Sequence, residues 1–191
     1  MQATEQRYFT PEEYLALEEE AELRHEYIDG QIIPMAGGST NHNRLAGNLY
    51  SAINNGLSDD YEPFIGDVRL WLPHRNIFTY PDVMVIAGAI AYHNNRTDTV
   101  LNPQVIVEVL SESTEKYDRE GKFSAYRTLP SFQEYLLIDQ TQIHVEHYAK
   151  TGPKQWSFTE YDEEDGAFSL KTIPFEMALI DLYGRVRFEQ N

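Results

Sequence analysis

Apolar positions change their period several times along this chain, and each change marks an element. Thr10-Pro11-Glu12-Glu13 sets an N-cap, a first-turn proline and an N3 glutamate ahead of Tyr14, Leu15 and Leu17, predicting a helix that ends before Arg24. Glu26-Tyr27-Ile28-Asp29-Gly30-Gln31-Ile32-Ile33 places Asp-Gly between two alternating runs, the strongest short hairpin signal. From Thr40 onward, Leu45, Leu49, Ile53 and Leu57 repeat every four residues, predicting a second helix with His42 close to its apolar face. Phe64 to Leu72 alternates as a strand with one mixed face. Tyr80-Pro81-Asp82-Val83-Met84-Val85-Ile86 and Val105-Ile106-Val107-Glu108-Val109-Leu110 are almost continuously apolar, as strands covered on both faces should be, and belong at the centre of a sheet. Between them Ala89 to Asn102 is polar and reads as a loop or short helix flanking a site.

Beyond Leu110, Ser111 to Thr114 offers cap residues. Asp118, Lys122 and Tyr126 then fall four apart, one stripe of a helix that stops near Pro130, with Phe123 on its packed side. Tyr135 to Asp139 and Ile143 to Tyr148 predict a hairpin, and Trp156 to Tyr161 a further strand, all edge-like. No repeat, low-complexity tract or long linker interrupts the pattern. The expectation is one α/β domain over residues 1–191, a central mixed β-sheet flanked by helices with additional C-terminal antiparallel strands.

Two carboxylates break the apolar runs. An isolated buried carboxylate costs several kcal/mol unless paired, hydrogen-bonded or metal-bound, so Asp82 and Glu108 on core strands point to a cation site. Hard oxygen ligands favour Mg²⁺, with Mn²⁺ as substitute, over zinc. Phosphoryl transfer with a divalent ion needs carboxylates for the metal, a water nucleophile and a cation for the charge that builds on phosphate. Asp82, Glu108 and Lys122 supply the protein's share.

Composition narrows the setting. The 191 residues suit one domain with a real core, and no apolar stretch approaches the roughly 18 residues of a membrane span. The absence of cysteine excludes disulfides and thiolate chemistry. The start, Met1 to Arg7, lacks the basic and apolar regions of a secretion signal, so a cytoplasmic location is expected. A net charge of −16 argues against a broad basic surface for nucleic acid. Acids cluster in Glu12 to Asp29 and Asp162 to Asp165, whereas Lys116, Arg119, Lys122 and Arg127 gather after the second carboxylate strand, so the local field there is expected to differ.

Several segments together resemble a known family. These are Thr10-Pro11-Glu12-Glu13-Tyr14, Glu26-Tyr27-Ile28-Asp29-Gly30, Ser39-Thr40-Asn41-His42, Pro81-Asp82-Val83, Val107-Glu108-Val109-Leu110-Ser111, Tyr117-Asp118-Arg119-Glu120-Gly121-Lys122 with Tyr126, and Glu134 to Asp139. The chain is similar through most of its length to the "putative restriction endonuclease" family of the PD-(D/E)XK nuclease superfamily. That resemblance implies a restriction endonuclease-like fold, Mg²⁺-dependent cleavage of DNA, and a metal held by Asp82 and Glu108. The superfamily pattern wants lysine two positions past the glutamate, where this chain has Leu110. Lys122 is expected to reach the same volume from the following helix, oriented by Asp118 and Tyr126. The resemblance also makes Glu26 an additional acidic catalytic residue. His42 is a further accessory candidate, for contact with phosphate or a metal water. His144 and His147 sit three apart on a strand, face opposite sides, and are assigned no shared metal.

A duplex cut needs two active sites, so a C2 homodimer is expected, with the terminal strands as its candidate interface. Two other readings fit the same residues: a nuclease-like binding or regulatory module without turnover, favoured by the acidic balance, and a metal hydrolase of a small phosphoester.

Overall fold

The local signals build the elements one after another in the computed structural model, which describes residues 7–35 and 37–188. Met1 to Gln6, part of the amino-terminal reading, lie outside the described residues. In chain order the elements are α1 (Pro11–Glu20), β1 (His25–Ile28), β2 (Gln31–Pro34), α2 (Thr40–Gly56), β3 (Tyr61–Ile65), β4 (Arg69–Leu72), β5 (Ile77–Thr79), β6 (Val83–Ala87), β7 (Thr99–Val100) and β8 (Val105–Leu110). A π-helical segment (Tyr117–Lys122) leads into α3 (Phe123–Tyr126), followed by β9 (Glu134–Asp139), β10 (His144–Gly152), β11 (Gln155–Asp162), β12 (Ala167–Ser169), β13 (Glu176–Ala178) and α4 (Leu179–Leu182).

Both halves of the Thr10 capping box are made: Glu13 N–H donates to the Thr10 hydroxyl at 3.2 Å, and Thr10 N–H to the Glu13 carboxylate at 2.8 Å. The β1–β2 turn carries Asp29 at φ 45° and Gly30 at φ 91°, two left-handed residues in succession, as the tight turn requires.

A six-stranded sheet in the order β11-β10-β9-β8-β6-β3 holds both carboxylate strands, and it is mixed because β8 and β9 run parallel. Alternation splits its apolar side chains. Val83, Val85, Val105, Val107, Val109, Leu136 and Ile138 pack with Leu45, Leu49 and Ile53 of α2 and with the β12–β13 pair and α4. Met84, Ile86, Ile106, Leu110 and Leu137 face the opposite way, onto Leu70, Leu72 and Ile77 of a second, five-stranded sheet (β2-β1-β5-β4-β7) and onto Tyr126, Leu129 and Phe132. Both faces are therefore covered, which is why these strands read as unbroken apolar runs.

The structure corrects three sequence expectations. Phe64 to Leu72 is two strands, not one: Gly66 at φ 65° turns the chain, leaving β3 on β6 and β4 in the other sheet. Strands β9 and β10 are interior rather than edge-like, each hydrogen-bonded on both sides, with β9 buried over its first five residues; of the three C-terminal strands so read, β11 is the edge. No residue of the Ala89–Asn102 stretch lines the cleft described below. Instead His93 packs against the rings of Trp71 and Phe78, 5.7 Å from each.

Glu134, at the start of β9, is fully buried and binds His147 of β10. It also accepts from Lys171 N–H at 2.8 Å and Thr172 N–H at 2.6 Å, pinning the loop between β12 and β13. Burial works against its charge, yet His147, Thr172 and the two backbone donors hold the carboxyl below its usual range. His144 is separate, at 3.2 Å from Glu160 on the other face.

Candidate active site

Asp82 stands immediately before β6, and β6 pairs antiparallel with β8 so that Val83 faces Val107 and Met84 faces Ile106. One step along that register sets Asp82 opposite Glu108. Both have the parity of Met84 and Ile106, so both side chains leave the same face of the sheet. Asp82 Oδ2 accepts from the Val109 N–H at 2.7 Å and lies 3.2 Å from His42 Nε2, which α2 presents from its first turn. Glu108 is buried. Its Oε1 accepts from the Tyr126 hydroxyl at 2.6 Å and sits 3.1 Å from Lys122 Nζ.

Lys122 comes from a π-helical turn rather than a regular α-helix, and its four-residue relation to Asp118 survives: Nζ lies 3.0 Å from Asp118 Oδ1. Tyr135 anchors the turn by donating to the Asp118 carbonyl at 3.0 Å. Gly121 permits it, because a Cβ there would stand 2.4 Å from the Tyr117 ring. Glu26 of β1 completes the group, 3.9 Å from Nζ, with its carboxylate also taking the Thr79 hydroxyl. The side chains form the wall of an open cleft of about 1010 Å³ that also meets Tyr80, Ser111 and Tyr117.

All six sequence-predicted residues thus converge, in two shells of contact. Asp82, Glu108, Lys122, Glu26 and His42 line the cleft, whereas Tyr126 is fully buried behind Glu108 and reaches the site only through it. Asp118 belongs to the cleft as well; its i, i+4 spacing to Lys122 was the available signal. The expected basic cluster does not form there. Arg119 is committed to Glu115 and Glu146, Arg127 covers the Phe123 ring at 4.9 Å, and among the described residues Lys122 is the only lysine or arginine lining the cleft.

The electrostatics follow from burial. Desolvation pushes the Glu108 carboxyl up to about 8; Lys122 opposes this, and Asp82 and Asp118 reinforce it. Burial alone would lower Lys122, but Glu108, Asp118 and Glu26 outweigh it and hold the ammonium well above its ordinary value. Lys122 is therefore held in its ammonium form. His42 is also raised: burial opposes, but the Asp82 carboxylate prevails.

A hard dication fits this donor set. Four carboxylates, Glu26, Asp82, Glu108 and Asp118, share the cleft with one ammonium, which three of them contact, and the buried Asp118 Oδ1 accepts no hydrogen bond despite its nearness to Nζ. Negative charge is in excess. Among the described residues no group of three or more His, Asp or Glu side chains is arranged as a ready-made metal site. Mg²⁺ does not need one, since it binds through one or two carboxylates and keeps its other positions for water and phosphate.

The model of the family described as "Putative restriction endonuclease" matches residues 11–182. The chain belongs to that family. It is 48% identical over 155 residues to the uncharacterized protein sll1609 of Synechocystis, covering 81% of this chain and 88% of that one. It is 36% identical over 180 residues to slr1290 of the same organism, covering 94% and 93%. A crystal structure described as a putative nuclease belonging to DUF820, from Anabaena variabilis, superposes with a TM-score of 0.74 over 92% of this chain and 97% of the other. At 23% identity it shows a common fold. The family is thus one described by a restriction-endonuclease label, and the fold is shared with the Anabaena structure.

Proposed function

We propose that this protein is a Mg²⁺-dependent endonuclease that hydrolyses DNA phosphodiester bonds. One observation carries the reading: two carboxylates far apart in sequence stand opposite each other on one sheet face, at an open cleft, beside a buried ammonium. Asp82 and Glu108 would hold Mg²⁺, or Mn²⁺ in its place. When bound, the ion supplies Lewis acidity and lowers the pKa of water.

The remaining work falls to the chain itself. Val109 N–H and His42 fix one oxygen of Asp82, leaving the other free to turn toward the cleft. Tyr126 and Lys122 fix Glu108. Lys122 is placed to neutralise charge on a phosphate oxygen, the role that the missing lysine at Leu110 would have filled, and Glu26 and Asp118 hold its ammonium in place.

With Mg²⁺ or Mn²⁺, the wild-type protein is expected to nick or cut DNA, and Asp82→Ala to reduce cleavage about 10²–10³-fold, on the order expected for lost preorganised electrostatics. Full activity in that variant would overturn the assignment. The acidic cleft favours a second reading, a module without turnover. Calorimetry separates the two: Mg²⁺ binding that disappears in Glu108→Gln supports the working site, and no binding by the wild type supports the module.

A further inference from the structure

The hairpin β1–β2 has two faces with different tasks. Tyr27 and Ile32 pack against Tyr14 of α1 and Phe78, forming a small core of their own. On the opposite face Glu26 stands directly across from Ile33, and Ile28 and Met35 follow at the same parity. Directly opposed antiparallel residues share a face, so Ile33 and Met35 extend outward from the very residue that touches Lys122. All four side chains line the cleft. Ile33 and Met35 are each 39% exposed there, although a large aliphatic side chain in that position gains nothing from water.

The charge of the same cleft restricts what its occupant can be. Its walls carry five carboxylates (Glu26, Asp82, Glu108, Glu112 and Asp118) against one ammonium. A duplex brings two phosphate backbones and hides its base faces within the stack, so its affinity comes chiefly from lysine and arginine along the groove. An unpaired strand also draws on positive charge along its backbone, but it brings one backbone instead of two. Its bases present faces that pack on apolar or aromatic side chains, a source of affinity a duplex keeps hidden. Ile33 and Met35, with the Tyr117 ring also in the cleft, supply such a surface in the same cleft that Asp82, Glu108 and Lys122 line.

We infer that the substrate is single-stranded or locally unpaired DNA, with a nucleotide beside the cleaved bond lying over Ile33 and Met35. The inference rests on the nuclease reading above and names its substrate class. One active site then suffices for each cut, and the two-fold pairing that duplex cleavage imposes is not required.

The test compares one labelled oligonucleotide as a single strand, as a blunt duplex and as a duplex with a single-stranded flap, each with the full chain in Mg²⁺. The single strand and the flap are expected to be cleaved at least tenfold faster in kcat/KM than the duplex. Ile33→Ser should lower that value about tenfold, chiefly through KM, and Ile33→Trp should raise it by adding a stacking face. Ile180→Ser, at an 81% exposed position on α4, serves as the control and should change nothing. Equal or faster cutting of the blunt duplex, or indifference to both Ile33 variants, overturns the inference while leaving the nuclease reading intact. Cleavage of no substrate, with the wild type matching Asp82→Ala, removes the nuclease reading and the inference together.

Discussion

A buried ammonium among three carboxylates makes Lys122 the residue whose removal should be felt most. Lys122→Met would leave Glu108 and Asp118 buried without a counter-charge, a change that costs about 3–5 kcal/mol. Urea denaturation should show that loss, and added Mg²⁺ should restore part of it, because an ion that binds only the folded chain stabilises by mass action. Glu134 offers a contrasting case away from the cleft. Its folded pKa lies below the ordinary 4.5, so its contribution is fully present above that value and is lost as pH falls through the folded pKa. Glu134→Gln should cost about 1–3 kcal/mol at pH 7 and flatten the decline of stability below pH 4.5, both read from urea midpoints at several pH values. The role of Glu134 was not legible in the sequence. Its donors come from Lys171 and Thr172, in a loop that reaches it only after the chain has folded back.

Among the elements, the π-helical turn decides the site. Four-residue spacing announced that Asp118 and Lys122 would share a side, but nothing in that spacing distinguished a π turn from an α-helix. Gly121 is its sequence mark, intelligible only once the Tyr117 ring is seen lying 2.4 Å from where a Cβ would be. Gly121→Ala should destabilise by about 1–3 kcal/mol through overpacking and should lower cleavage further than stability alone explains, by displacing Lys122. Combining it with Tyr117→Ala should recover most of the stability, which thermal denaturation would show. The capping box and the Asp-Gly turn, by contrast, were fully readable, because each is satisfied within a few consecutive residues. The division of Phe64 to Leu72 was not: alternation shows which residues share a side, not which sheet receives them.

For the whole molecule, a charge of −16 and a cleft with one lysine set the character of any encounter with DNA. Few counterions can be released on binding, so log kcat/KM should fall with log salt at a slope of only about −1 to −2, measured between 50 and 200 mM. A steep slope would reveal a basic surface contributed from elsewhere, such as a second copy. Among the described residues no helix is long and apolar enough to cross a membrane.

What the sequence determined by itself was local or periodic: caps, turns, the doubly covered strands, and the anomaly of acidic residues within apolar runs. Those properties depend on a residue and its near neighbours, or on a repeat that any stretch can display. Only the tertiary structure decided that Asp82 meets Glu108 across the β6–β8 register and that Lys122 arrives from a π turn. Strand register, crossover and face are relations between distant segments, selected by the burial of the whole core, and no single segment encodes them.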